Sequence, residues 1–329
     1  MQTHSSAGIK HATAAAFRVR TTLCALLLFC LVPIWAHAAQ RSGETPENLA
    51  VFVAGSENMA FNLLFRERLL EQLPKNIHLE TFSPAASADR PGQLVISLGP
   101  SALNEVMQQA VRPPLLALMI TESQFAQYQN VEGKPLAARY LNPPLLRQAL
   151  LGRQILPHAS RVSVLARAGS EQLYKPLSET LSDFGLELRV FTVENSESLV
   201  STLARALNYG DFLLGTPDPA IYNRQTIKHI LLTTYRYNRI LIGPERAFVQ
   251  AGALASTYTP TDALINNVDH EIARYFSSGK LGESEYPTDF SILFNLQVAR
   301  SLNIPLPDPT AVETALKEQE ATMTRSGNE

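Results

Sequence analysis

NPPLLRQALLGRQILPHASRVSVLARAGSEQLYKPLSETLSDFGLELRVFTV, residues 142–193, holds a helix, a strand, a second helix and a second strand in that order. Asn142-Pro143 reads as an N-cap with proline at the first helical position, opening a helix that runs to about Leu156 and stops before Pro157. Arg161 to Ala166 (RVSVLA) is a strand. The next helix runs from Glu171 to Phe184, with Gly185 as its C-cap, and Leu186 to Val193 is the following strand. A short apolar run between two helical patterns belongs to a parallel sheet covered on both faces.

The same alternation extends in both directions. Upstream, Leu49 to Ala54, Ile77 to Phe82, Leu94 to Leu98, Leu115 to Ile120 and Leu136 to Leu141 read as strands. Phe61, Phe65, Leu69 and Leu73 share one helix face between the first two, and a helix from Ala102 to about Val111 follows the third. Downstream, Leu199, Val200, Leu203, Ala204 and Leu207 give an amphipathic helix. A strand at Asp211 to Leu214, a helix from Ala220 to Tyr237, a strand at Ile240 to Ile242 and a helix from Arg246 to Ala251 continue the series. Two consecutive series of this kind predict two doubly wound parallel-sheet lobes of α/β class with a cleft between them. Residues 45–141 with about 259–285 form lobe one, and residues 142–258 with about 286–310 form lobe two. Residues 311–329 are expected to be a polar, fraying tail.

The N-terminus has the three parts of a secretory leader: basic Lys10, Arg18 and Arg20, an apolar run from Leu23 to Trp35, and the small-residue site Ala36-His37-Ala38. Cleavage makes residues 1–38 a signal peptide, starts the mature chain at Ala39 and predicts a periplasmic location. Both cysteines, Cys24 and Cys30, fall in the leader, which leaves the mature chain without disulfide, thiol nucleophile or thiolate metal ligand. Removing three basic residues leaves 25 basic against 30 acidic, a charge of −5 that gives no basic stripe for nucleic acid.

Ligands of open parallel sheets bind beyond the carboxyl ends of the strands. Here those ends are Gly55-Ser56-Glu57, Gly99-Pro100-Ser101 and Thr121-Glu122-Ser123 in the first series. In the second they are Ala168-Gly169-Ser170, Gly215-Thr216-Pro217-Asp218-Pro219 and Gly243-Pro244-Glu245. Exposed N–H groups and the helix dipole at such turns favour an anion, whereas Glu57, Glu122, Asp218 and Glu245 could oppose an ammonium group. Together they suit a zwitterion, with Asp218 or Glu245 pairing the cation. The plainer reading of each residue is structural, because Ser, Thr and Asp at helix starts are N-caps and Asp218-Pro219 is a strong cap sequence. Phe61, Tyr174, Tyr222 and Tyr258 lie near the turns and either stack on a ligand or fill the core.

Signals for catalysis are weak. His78, His158, His229 and His270 fall at no metal-ligand spacing, and His270-Glu271 does not continue as H-E-x-x-H. Neither G-x-S-x-G nor G-x-x-x-x-G-K-[ST] occurs. The chain reads as a binding protein with no catalytic residue, metal or cofactor.

Several stretches resemble the exported ABC-transporter substrate-binding proteins that include tryptophan- and tyrosine-type members. Ile155 to Leu165 is similar to the family's L-L-P-x-A-x-R-V-x-V-L segment, and Asp211 to Asp218 to its D-A-I-x-x-P-x-D strand and loop. Gly252-Ala253-Leu254-Ala255 and Asn295 to Pro305 resemble its G-A-L-A strand and its closing N-L-x-x-A-x-x-L-x-I-x-I-P. The similarity covers about residues 48–310, with Gly99-Pro100-Ser101-Ala102 standing where the family has G-T-P-A. This resemblance implies a type I periplasmic binding-protein fold and a pocket using the turns at Ser56, Ser101, Thr121, Ser170, Asp218 and Glu245. It also implies delivery of a small solute to an inner-membrane permease with a separate ATPase subunit. A periplasmic sensor or scaffold reusing the fold, and less readily an exported enzyme, remain the alternatives.

Overall fold

The computed structural model describes residues 49–84 and 92–326; the expected leader with its expected cleavage site and the last three residues of the tail lie outside them. Strands β1 (Leu49–Ala54), β2 (Ile77–Thr81), β3 (Gln93–Leu98), β4 (Leu115–Ile120) and β5 (Leu136–Tyr140) form one sheet in the order β2-β1-β3-β4-β5. All its pairings are parallel. A second sheet has the order β11-β10-β9-β8-β6-β7. It is built from β6 (Arg161–Arg167), β7 (Glu187–Val193), β8 (Phe212–Leu214), β9 (Ile240–Ile242), β10 (Ala255–Tyr258) and β11 (Ser291–Phe294). Only β11 runs antiparallel, against β10.

The helices of lobe one are α1 (Met59–Gln72), α2 (Pro100–Met107) and the single turn α3 (Glu122–Phe125). Lobe two carries α4 (Leu145–Ile155), α5 (Lys175–Asp183), α6 (Leu199–Tyr209), α7 (Ile227–Arg236) and α8 (Arg246–Ala251). The chain then returns through α9 (Thr261–Ser278) and closes with α10 (Leu296–Ser301) and α11 (Pro309–Ser326).

Burial follows the strand sequences. β1 and β3 are buried at every position, as strands covered on both faces must be. Alternate residues of β1 enter two separate cores. Val51 and Val53 face Phe65 and Leu69 of α1 and Ile265, Val268 and Ile272 of α9, while Phe52 and Ala54 face Leu103 and Val106 of α2. Thus α9, although late in sequence, completes lobe one. In lobe two, Gly152 lets α4 lie directly on the sheet, since a Cβ there would come within 2.6 Å of the Phe212 ring.

The chain crosses between the lobes after β5, after β10 and again between α9 and β11. The third crossing is not a loose linker. Tyr140 N donates to Glu285 O (3.1 Å) and Glu285 N to Ala138 O (3.1 Å), so the segment lies along the outer edge of β5.

Four expectations from sequence need correction. The tail does not fray through residue 326: α11 is an 18-residue helix whose Val312 and Leu316 are buried in the lobe-two core. Asp308 starts it, with Oδ2 accepting Ala311 N at 2.8 Å. The predicted helix from Ala220 exists only from Ile227, because Asn223 Oδ1 takes Gln225 N and Thr226 N and holds the preceding residues in a turn. The helix after β3 begins at Pro100 and ends at Met107. Finally, Asn142 is not an N-cap. Two prolines follow it and the helix opens only at Leu145, with Pro144 at the cap position.

Candidate functional site: a cleft at the strand ends

β4 ends irregularly. Its register against β5 shifts between Leu118 and Ile120, and Met119 between them has φ +58°. A bulge of this kind adds twist and re-aims the residues that follow, and non-glycine backbone in the left-handed region is strained. The residues that follow are Thr121 and Glu122. Thr121 and Gln124 form a reciprocal cap: Thr121 Oγ1 accepts Gln124 N (3.1 Å) and Gln124 Oε1 accepts Thr121 N (2.9 Å). That box fixes the single turn α3 and holds Glu122 at the lobe edge.

Thr121, Glu122 and Ser123 line one wall of a cleft of about 540 Å³. The crossings supply its floor through Asn142, Pro143 and Tyr286, and lobe two supplies Arg167, Ser170, Tyr174, Thr216 and Asp218. The cleft therefore draws on both sheets and two of the crossings.

Charge in the cleft is already partly organised. Tyr286 Oη donates to Glu122 Oε2 at 2.6 Å, and its ring meets Tyr140 edge-on at 4.9 Å. Burial and then the Glu122 bond push the Tyr286 hydroxyl well above the ordinary tyrosine range. In lobe two, Arg167 Nε donates to Asp218 Oδ2 at 2.7 Å, while Asp218 Oδ1 accepts Ala220 N at 3.0 Å. The Asp218 bond raises the Arg167 guanidinium above its usual value. Ser170 Oγ donates to Arg167 O at 2.7 Å. Burial raises the Tyr174 hydroxyl too.

Among the described residues, one buried oxygen on a cleft-lining residue has no hydrogen-bond partner: Asn142 Oδ1, on a residue 8% exposed; the Thr216 hydroxyl, on a residue 1% exposed, interacts with the hydroxyl of Tyr174. Buried polar atoms without partners are uncommon in folded proteins, and each carries a desolvation cost that a bound group can offset. Leu173 is 75% exposed on the lobe-two rim and offers an apolar contact beside them.

The eight residues picked from sequence divide evenly. Thr121, Glu122, Ser170 and Asp218 line the cleft. Ser56, Glu57, Ser101 and Glu245 stand at the same strand ends but outside the cavity lining. Ser56 is engaged with Asn62, its N–H and Oγ both donating to Asn62 Oδ1 (2.9 and 2.7 Å) while Asn62 Nδ2 returns a bond to Ser56 O (2.7 Å). Ser101 Oγ donates to Glu57 Oε1 at 3.3 Å, tying two turns of lobe one together. The Glu245 carboxylate is half-buried with no partner among the described residues, and burial pushes it up. Of the aromatic candidates only Tyr174 lines the cleft; Tyr222 is packed against Phe248 and Tyr258 under Arg246.

Sequence reasoning missed Arg167, Asn142, Thr216 and Tyr286 as site residues. Arg167 had a signal: a charge closing an apolar strand just before the Ala168-Gly169-Ser170 turn. Tyr286 had none, since its place depends on the path of the third crossing.

No known family profile matches the sequence, and no curated protein matches it. Solved structures do match. A ligand-free, open substrate-binding protein with adhesive properties from Clostridium difficile superposes with TM-score 0.64 at 12% identity, over 80% of this chain and 96% of that one. A domain from Streptococcus pneumonia, described as an ABC domain in complex with L-Trp, gives TM-score 0.54 at 15% identity, over 81% and 98%. A conserved domain protein from Vibrio cholerae gives 0.52 at 16%, over 80% and 97%. At these identities the likeness concerns the fold. The chain has the two-lobed α/β fold of the type I periplasmic binding proteins.

Proposed function

We propose that this chain is an exported, non-enzymatic solute-binding protein of the tryptophan- and tyrosine-type family, working in the periplasm as the capture component of an ABC-type importer. A small solute enters the cleft, the lobes close over it, and the closed form docks on an inner-membrane permease served by a separate ATPase. Closure is driven by contacts that exist only when both walls touch the solute. The observation that carries this reading is a cleft of about 540 Å³ lined by both lobes and by two of the crossings, with Asn142 Oδ1 of the first crossing buried and without a hydrogen-bond partner among the described residues. The solute class we favour is an amino acid or related zwitterion, with Glu122 opposing its ammonium group. Asp218 is less suited to that task because Arg167 already neutralises it, and Glu245 lies outside the cavity lining. Ser56, Glu57 and Ser101 are left for contacts made on closure.

The test is a thermal-shift screen of the protein starting at Ala39 against amino acids, nucleosides, sugars and short peptides. A ligand that binds only the folded state raises the melting temperature. A clear rise with one chemical class supports solute capture and names the cargo. Folded protein, free of co-purified ligand, that responds to no class contradicts capture and favours a sensor or scaffold.

A further inference from the structure

We infer that Arg167 is the carboxylate receptor of the cleft and that Asp218 is its positioning residue, so that the captured solute carries a carboxylate. This rests on the solute-capture reading above.

Arg167 is the last residue of β6, and its side chain reaches into the cleft with 59% of its surface exposed. Among the described residues, one of its five N–H donors is used, the Nε–H, by Asp218 Oδ2 at 2.7 Å. Both terminal NH2 groups are without partners among the described residues. Asp218 is itself fixed, 11% exposed, its other oxygen held by the Ala220 N–H. The acid thus grips the guanidinium at its inner edge and leaves the outer edge free. A planar fork offered in this way matches the two oxygens of a carboxylate.

The neighbouring strand adds a hydroxyl pair. Thr216 follows the end of β8, which pairs directly with β6, and its buried hydroxyl interacts with that of Tyr174, a residue that also lines the cleft. Donors therefore collect on the lobe-two side. Glu122, with Oε1 uncommitted, and Asn142 Oδ1 place acceptors on the opposite side and the floor. This polarity reverses the assignment that acidic turn residues suggest from sequence: Asp218 serves the arginine and does not meet the solute cation. Closure then shields the ion pair from water and strengthens it.

Calorimetric titration tests the assignment with matched probes: the twenty proteinogenic L-amino acids and their α-amides, benzoate and benzamide, indole-3-acetate and indole-3-acetamide, with ribose and myo-inositol as neutral controls. The binder in wild-type protein is expected to be an acid, with its amide weaker by at least about tenfold. In R167Q the acid falls to the level of the amide while the amide is unchanged, so the acid-to-amide ratio approaches one. R167K restores the charge without the fork and recovers only part of the ratio. D218N lowers the same ratio, which a purely structural role would leave intact. Arg167 is exposed, and an unaltered melting temperature confirms that each variant is folded. Equal affinity for acid and amide in wild type, or an equal loss of both in R167Q, overturns the assignment. Binding of ribose or myo-inositol with no acid bound overturns it too, yet leaves solute capture standing. If no probe binds folded protein, the carboxylate assignment fails and the broader screen alone decides capture.

Discussion

Arg139 and Arg147 stand on either side of the first crossing, both buried, and both grip the third crossing, yet from opposite lobes. Arg139 belongs to β5 and is 1% exposed. It donates through Nε to Asn267 Oδ1 and through Nη1 to Glu283 O (2.8 Å each), and it pairs with Glu271 (2.8 Å) and Glu285 (3.2 Å). Arg147 belongs to α4 and makes two bonds to Glu320 of α11 (2.7 and 2.9 Å). It also donates to Pro287 O (3.3 Å) and lies 4.0 Å over the Phe290 ring. One arginine therefore fastens residues 283–285 to lobe one, and the other fastens residues 287–290 to lobe two. Between the two grips stands Tyr286, the residue that reaches into the cleft to Glu122. The pair teaches that this crossing is held firmly on both sides of residue 286, so the proposed closure of the lobes would turn at a point in contact with the candidate site.

The two grips differ in what their loss would strand. R139M leaves Glu271, whose side chain is 8% exposed, as a buried carboxylate facing only Arg274 at 3.2 Å and the Gly282 N–H. Breaking a buried ion pair on one side costs on the order of 3–5 kcal/mol, and urea unfolding of R139M is expected to show a loss in that range. R147M strands Glu320, which is 25% exposed and can recover water, so about 1–3 kcal/mol is expected in the same assay. Equal losses would break the comparison. A smaller effect belongs to Y286F, which removes the bond to Glu122 and leaves both grips in place. Titration with the solute identified by screening is expected to show affinity altered by about two- to tenfold, with unchanged urea stability.

The smallest effect concerns Glu245. Burial raises its carboxyl in the folded state, so the folded protein holds that proton more tightly than the unfolded chain does. The ionised form therefore lowers stability at neutral pH, and this penalty disappears as pH falls below the unfolded value. E245Q should melt about 1–2 °C higher than wild type at pH 7 and no higher below about pH 4. A loss of solute affinity in E245Q would instead bring Glu245 into the closed site.

Much of the fold was legible because buried parallel strands write themselves as continuous apolar runs: Leu115 to Leu118 is fully buried, and Leu94 to Leu98 nearly as plain. Helix starts were less legible. Asn142 has the right residue type for a cap, but the Pro143-Pro144 pair delays the helix and frees its side chain for the cleft. The C-terminal helix hid behind composition. Among its described side chains the core face is Val312 and Leu316, and Glu320 on the same face finds its partner 173 residues away in sequence. Half the candidate site was legible through turn chemistry. Arg167 and Tyr286 were not, because an arginine at a strand end and a tyrosine in a crossing acquire meaning only from what lies opposite them in space.

The most direct test of solute capture uses an accident of composition. The single tryptophan of the chain, Trp35, precedes Ala39 and falls in the expected leader, so protein starting at Ala39 has none. L173W would place one tryptophan on the exposed lobe-two rim of the cleft. The account predicts that the solute found by thermal shift moves its emission to the blue and shields it from acrylamide, saturably and at the concentration that raises the melting temperature. A solute that stabilises the protein while leaving emission and quenching unchanged binds elsewhere, and would contradict capture in this cleft.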